Sequence, residues 1–524
     1  MTFDEQRTRY FVLPSGGGSL SGGTPGLPEH SDCEVIPHIG GPDYFRTLKA
    51  LIDQADVSAI YIAGWWLDTA FDIAPGANLI DVLKTKSRAG VDVRVLGWVM
   101  PPDILNNPVV TSGRVPLPSV DWNEHTMRFI GALRAEPTLA DKALLNILSH
   151  PAGAVHTKMV LVSRPGADVG FTGGIDFEPG RATPSWHDVE AEVRGPAVQA
   201  LFDFYRALWN ENQGRAPVTV SANGFSLATR TAGTTAIAAR AIVPGPGARK
   251  HVQSGRTVPK MNFSTLASWG ASVAGLSLPQ NQPISWAPNG IFEIKQLWQK
   301  GIAGAQTYIY IEDQAFTSNE IFDWLNAALR RSATLKVVLL LGRQDPTAPN
   351  PGPLITAMRK AVNDHLLTGL SQADIDARVG FFTHRSKTVH TKSTIVDDVW
   401  ALIGSANMMR RSLYTDIEHS IGFMDEAGTA VASYRAAMWA LHVGPAAQPD
   451  RALDLARWFA VPYVGSAGAR QVDRMHLPFT AGLTLTPQEQ TALDQLLDVD
   501  SRDAWGSGLA SLAVSAGGAG LSGS

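Results

Sequence analysis

One succession of strand and helix patterns occurs twice in this chain, and any fold has to accommodate both copies. In the first, Tyr44, Phe45, Leu48, Leu51 and Ile52 recur at helical spacing, and Ser58–Asp68 reads as a buried strand. Leu79–Ala89 then reads as a helix stopped at Gly90, and Val91–Gly97 as a second strand. In the second, Phe292–Gly304 is helical, Tyr308–Gln314 a strand, Ile321–Arg331 a helix and Leu335–Gly342 a strand. Ile60 corresponds to Ile309 and Val93 to Val337, a separation of roughly 240 residues, which is the mark of a duplicated unit. Alternating strands and helices call for a parallel or mixed sheet. The expected fold is α/β: two related lobes, each a mixed sheet flanked by helices, arranged as a pseudo-twofold pair.

The 524 residues exceed one ordinary core at roughly 100–200 residues per domain. The expected division is an N-terminal extension over 1–42, partly disordered around its Gly/Ser-rich stretch 14–26, and a first lobe over 43–218. A loop-rich connection follows over 219–290, then a second lobe over 291–445 and a C-terminal segment over 446–524 that ends in a disordered tail. The connection is rich in Ala, Gly, Ser, Thr and Pro and weak in periodicity; it reads equally as a passive linker or a lid.

Charge narrows the function. Lys and Arg number 44 against 48 Asp and Glu, a net charge of −4, and no run of Lys and Arg exceeds two residues. A nucleic-acid partner is therefore not expected, since such proteins carry a basic footprint. The one cysteine, Cys33, allows neither an internal disulfide nor a cysteine-based zinc site. No apolar run approaches the ~18–20 residues of a membrane span, and no secretory leader is visible. The expected location is the cytoplasm, with leaderless export as the alternative.

The third repeated feature carries chemistry. Val155-His-Thr-Lys-Met-Val-Leu-Val162 in the first half is matched by Val389-His-Thr-Lys-Ser-Thr-Ile-Val-Asp397 in the second. Residues i and i+2 share a face of a strand, which pairs His156 with Lys158 and His390 with Lys392. A small-residue turn follows each: Thr172-Gly-Gly-Ile-Asp176 and Gly404-Ser-Ala-Asn407. A neutral imidazole can attack a phosphodiester without charge repulsion and form a covalent intermediate. A second imidazole can protonate the leaving oxygen and then deprotonate water or an alcohol. Two lysines can hold the non-bridging oxygens.

With HxK followed by GSxN or GGxD present twice, and the full HxKxxxxD in the second copy, the chain resembles the phospholipase D superfamily. The likeness extends through Gly173–Phe177, Trp186-His-Asp188, Val193-Arg-Gly195 and Trp209-Asn210 in the first half. In the second it extends through Tyr310–Gln314, Ile403–Asn407, Arg411-Ser412 and Asp416-Ile-Glu418, so that it covers roughly Asp43 to Gly444. One departure is plain: Ser163 stands where the first copy of the motif calls for Asp, while the second copy keeps Asp397.

The resemblance implies an active site between the lobes that needs neither metal nor cofactor. His156 would be the nucleophile and His390 the acid, then base, with Lys158, Lys392 and Asp397 completing the motifs. Asp188 and Glu418 would orient the imidazoles. Asp176, Gly174, Ser405 and Asn407 would line the phosphate pocket. Glu312 and Gln314 would either face the cleft or tie strand ends as buried polar groups. Trp65 and Trp66 would line a lipid entrance or pack in the core.

The implied activity is that of a compact, bacterial-type phospholipase D. It would act on phospholipids as a monomer in peripheral contact with a membrane surface or micelle. Two alternatives stand beside it: a nuclease or soluble-diester phosphodiesterase of the same superfamily, and a non-enzymatic binding protein with a degraded first motif.

Overall fold

The computed structural model describes residues 1–14, 26–100, 120–150, 153–261, 283–342, 353–445, 451–480 and 482–485. The Gly/Ser-rich stretch within 14–26, except its two ends, and the tail from 509 onward lie outside the described residues.

One mixed sheet runs through the protein. Its strands in chain order are β1 (Glu29–Ile39), β2 (Ala59–Gly64), β3 (Asp92–Trp98), β4 (Ala143–Asn146), β5 (Lys158–Ser163), β6 (Val169–Gly173), β7 (Val189–Arg194) and β8 (Lys250–Val258). They continue with β9 (Ile291–Phe292), β10 (Tyr308–Glu312), β11 (Lys336–Leu341), β12 (Val379–His384), β13 (Ser393–Val396), β14 (Trp400–Gly404), β15 (Glu418–Asp425) and β16 (Val472–Arg474). The spatial order is β16-β12-β11-β10-β13-β14-β15-β8-β1-β7-β6-β5-β2-β3-β4, with β9 paired to β8 beside this path.

Read outward from the antiparallel seam β1–β8, the two sides match strand for strand. β7-β6-β5-β2-β3-β4 answers β15-β14-β13-β10-β11-β12. In each half the outer three strands are parallel and the rest antiparallel. The outer strands read as unbroken apolar runs because both their faces are covered: every residue of β2 is buried, and so is all of β11 beyond Lys336. Helices Leu79–Arg88 and Asn319–Arg331 supply equivalent cover. Asn78 caps the first through Ile80 N–H at 3.0 Å, and Ser318 caps the second through Ile321 N–H at 3.4 Å. The largest apolar cluster takes side chains from both halves, among them Tyr61, Leu161, Tyr310, Ile395 and Phe423.

Two expectations need correction. The N-terminal extension was expected to end at 42 without entering a lobe, yet β1 lies at the centre of the sheet, paired with β7 on one side and β8 on the other. Residues Phe3–Tyr10 also form a helix, closed by a reciprocal Thr2–Glu5 capping box. The connection over 219–290 contains β8, which pairs with β15 over eight residues. Both seam strands are polar in sequence because their polar side chains are buried against partners: Gln253 bonds Val12 and Leu27, and His251 lies 2.6 Å from Glu29. Among the described residues, no helix is long and apolar enough to cross a membrane.

Candidate active site

Neither His-Thr-Lys segment lies wholly in a strand. β5 begins only at Lys158, and His390 and Lys392 fall between the short strand Thr388–Val389 and β13. The backbone leaves its own sheet there to bond the other half. His156 N–H and Thr157 N–H both donate to Ile417 O, at 2.9 and 3.0 Å, and His390 N–H donates to His187 O at 2.8 Å. Val155 bridges Ile417 in parallel, and Val389 pairs with His187 in parallel. One residue further along each pairing, His156 meets Glu418 and His390 meets Asp188.

The side chains complete this exchange. His156 Nδ1 lies 3.1 Å from both Glu418 oxygens, and His390 Nδ1 lies 2.6 Å from Asp188 Oδ2. A carboxylate accepts, so each imidazole carries its proton on Nδ1 and presents Nε2 with a free lone pair. Each histidine is thus oriented by a carboxylate from the opposite half. Ser405 and Ser412 both donate to Glu418, and Val189 N–H donates to Asp188 at 2.8 Å.

All six groups are buried, with His156 the most open at 9% exposure. Burial, reinforced by the two lysines, holds His156 well below the ordinary imidazole range. Burial and then Arg181, Lys392 and Lys158 do the same to His390. The Asp188 carboxyl is pushed up to about 6 by burial, against the pull of Lys392 and Arg181, and the Lys392 ammonium is brought down to about 8 by burial. Both imidazoles are therefore neutral near pH 7 in the free protein. Lys158 Nζ donates to His156 O at 2.9 Å, and Lys392 Nζ donates to His390 O.

The remaining expected residues divide. Asp176, fully buried, accepts Trp66 N–H at 3.0 Å and lies 3.4 Å from Lys158, which places it beside the first pair. Asn407 is buried with Oδ1 unbonded, and its backbone N–H donates to Ser412 Oγ at 3.0 Å. Gly174 packs directly against Asp188: a Cβ there would come within 2.2 Å of Asp188 Oδ1, so a side chain would displace the carboxylate. Ser405 braces Glu418, the carboxylate beside His156. Gln314 is half-buried just after β10, the position that Trp65 holds after β2. Trp65 packs edge-on to His156 at 5.7 Å, with Lys158 over its ring at 5.2 Å.

Asp397 does not belong with the site. Its carboxylate accepts the backbone N–H groups of Gln306, Thr307 and Tyr308 at 2.6–2.8 Å and the Tyr10 hydroxyl at 2.7 Å. It pins the start of β10, at the end of β13 remote from His390. In the first half Ser163 occupies this place. It accepts from Arg240 at 2.6 Å, and Arg240 is itself paired with Asp168 at 2.8 and 3.1 Å. Asp168 thus brings a carboxylate near the position, but it accepts from Arg240 and Val243 N–H, while Ser58 N–H before β2 donates to Ser163 O at 2.9 Å. Ser163→Asp is expected to change stability by no more than about 1 kcal/mol, because a cation already faces the position. In an Arg240→Ala background the same change should cost about 3 kcal/mol or more, two carboxylates then being left without a cation. Denaturant midpoints of the four proteins test this.

Of the two readings open for Glu312, the structure shows the buried tie: Glu312 accepts from His187 Nε2 at 2.6 Å, His442 Nε2 at 3.0 Å and the Tyr310 hydroxyl. Burial would raise its carboxyl, but the two imidazoles hold it below the usual range. Among the described residues, this is the one group of three whose ligand atoms, all within 4.8 Å of one another, could hold a metal ion; here they bond one another and steady His187, next to Asp188. Sequence reasoning missed Arg181, buried beside Asp176 and stacked on Trp186 at 3.7 Å. It falls outside the duplicated pattern, so no periodic signal marks it.

Residues 299–441 match the family described as "Cardiolipin synthase, PLD-like domain". Phospholipase D A of Dictyostelium discoideum is 22% identical over 501 residues, covering 80% of this chain and 36% of that protein. Phospholipase D C of the same organism is 36% identical over 75 residues, 13% of this chain and 4% of that protein. The chain thus spans about a third or less of the curated relatives it matches. Among solved structures, the phosphatidylserine synthase of Haemophilus influenzae aligns with a TM-score of 0.48 at 13% identity, over 78% of this chain and 86% of that one. The polyphosphate kinase of Porphyromonas gingivalis aligns at 0.41 and 12%, over 78% and 50%. The chain thus carries two His/Lys pairs on matching halves of one sheet, and over residues 299–441 it matches a PLD-like domain.

Proposed function

We propose that this protein is a phospholipase D, cleaving the distal phosphodiester of glycerophospholipids to phosphatidic acid and a free alcohol. The observation that carries the reading is the reciprocal exchange of carboxylates, which aims two neutral imidazoles and two buried lysines at one space between the halves.

In the first step His156 Nε2 attacks phosphorus, the bond to the headgroup oxygen breaks, and His390 gives that oxygen its proton. The anionic diester raises the proton affinity of His390, offsetting the cations that lower it in the free protein. In the second step His390 takes a proton from water, the water oxygen attacks phosphorus, and the N–P bond breaks. An alcohol in place of water gives transfer. Lys158 and Lys392 offset the charge that grows on the non-bridging oxygens. The protein works as a monomer at a phospholipid surface from the cytoplasmic side. Support comes from the PLD-like domain matched over residues 299–441 and from the Dictyostelium relative that bears the phospholipase D name.

The test is product identity. Vesicles of phosphatidylcholine or phosphatidylethanolamine should yield phosphatidic acid and free headgroup, and added ethanol should divert product to phosphatidylethanol. Diacylglycerol as product, or turnover of single-stranded DNA in preference to vesicles, would overturn the assignment.

A further inference from the structure

Arg181 is nearly closed to solvent, at 6% exposure, yet its donors are not used up. A guanidinium has five N–H groups, and burying them without acceptors is costly. Nη1 has no hydrogen-bond partner. Nε lies 3.3 Å from Glu178 Oε2 without hydrogen-bond geometry, and Nη2 lies 3.9 Å from Asp176. The group is held in place by its stack on Trp186, not by saturated hydrogen bonds.

Its position links both catalytic pairs. Trp186 stands edge-on to His390 at 5.5 Å, and Asp176 joins Arg181 to Lys158. Its charge is the strongest acting on His390 and also reaches Lys158, Lys392 and Asp188. The second half has no equivalent: counting from Asn407 as from Asp176, the matching residue is Ser412, whose hydroxyl is committed to Glu418. The site therefore holds one cation more than its duplication supplies.

We infer that Arg181 is a third phosphate-binding residue, whose unused N–H groups donate to the non-bridging oxygens of the phosphoryl group bound between His156 and His390. This rests on the site proposed above and extends it beyond the two lysines. A guanidinium suits the role, because its fixed donors match phosphate oxygens better than an ammonium does.

The test is inorganic phosphate titrated calorimetrically into the full chain and its Arg181→Gln and Arg181→Lys variants, with the exposed Arg46→Gln as control. Phosphate should bind the Gln variant at least tenfold more weakly than wild type, with Lys between them and Arg46→Gln unchanged. With bis(p-nitrophenyl) phosphate as substrate, kcat/KM of the Gln variant should fall at least a hundredfold. The Nε–H resonance of Arg181 in the wild type should move on adding phosphate, which reads the contact even where a variant folds poorly. Equal phosphate affinity in wild type and Gln variant, no phosphate binding by wild type, or a stationary Arg181 resonance would each overturn the inference. Wild type that binds phosphate through Arg181 but releases no lipid headgroup would refute the phospholipase reading alone.

Discussion

Replacing His156 by alanine is expected to lower turnover at least about 10⁴-fold and to abolish any phosphoenzyme, because the attacking nitrogen is gone. Replacing His390 should lower lipid turnover comparably, but with a different signature. Bis(p-nitrophenyl) phosphate has a leaving group that needs no proton, so it should still phosphorylate His156 in the His390→Ala protein. The adduct should then persist, since no base remains to activate water. Acid-labile label on His156 in that variant, and none in His156→Ala, is the expected pair of results. Label on His390 in the absence of His156 would reverse the roles. Glu418→Gln should slow formation of the adduct, because an amide can donate to Nδ1 and so favour the wrong tautomer of His156.

The second large effect concerns stability. Asp397 accepts three backbone N–H groups and a tyrosine hydroxyl, and it occupies a two-residue turn with Asp398 in which both residues have left-handed φ, 57° and 61°. Asp397→Ala is expected to cost about 3–5 kcal/mol, leaving several buried donors unpaired and adding strain at φ > 0. Asp397→Asn, which tolerates that φ and keeps one acceptor, should cost about half as much. In both, kcat per folded molecule should stay within a few-fold of wild type. Denaturant midpoints beside active-site-normalised rates would separate this anchoring role from a catalytic one, which requires kcat itself to collapse.

Asp397 also shows how far the sequence could be read. The motif places it with the site, but five residues along an extended chain from Lys392 is roughly 16 Å, too far for a shared phosphate. The doubled strand–helix order was legible because β2, β10 and β11 are buried almost throughout and written mostly in apolar residues, and β3 keeps an apolar run after Arg94. The seam was not. β1 and β8 carry Glu, His, Lys, Gln and Arg that are satisfied by distant partners, and hydrophobic patterning is blind to that. His419 illustrates the point: it spans the halves between Thr172 at 2.9 Å and Ser254 at 2.8 Å, yet in sequence it is merely a polar residue after Glu418. The crossing of Glu418 to His156 and Asp188 to His390 is likewise a fact of how the halves dock, which neither half encodes alone. Arg181 escaped notice because a pattern found by duplication cannot reveal what only one copy has.

The crossed carboxylates also set a timetable. His156 leaves the ribosome 262 residues ahead of the glutamate that orients it, whereas Asp188 precedes its histidine by 202. A nascent, truncated or clipped chain lacking the stretch around Glu418 holds a histidine of undirected tautomer and an unfinished sheet. On the proposed mechanism, chemistry at His156 begins only after Glu418 has been made and the halves have closed, so that products ending before it are silent toward the diesters around them.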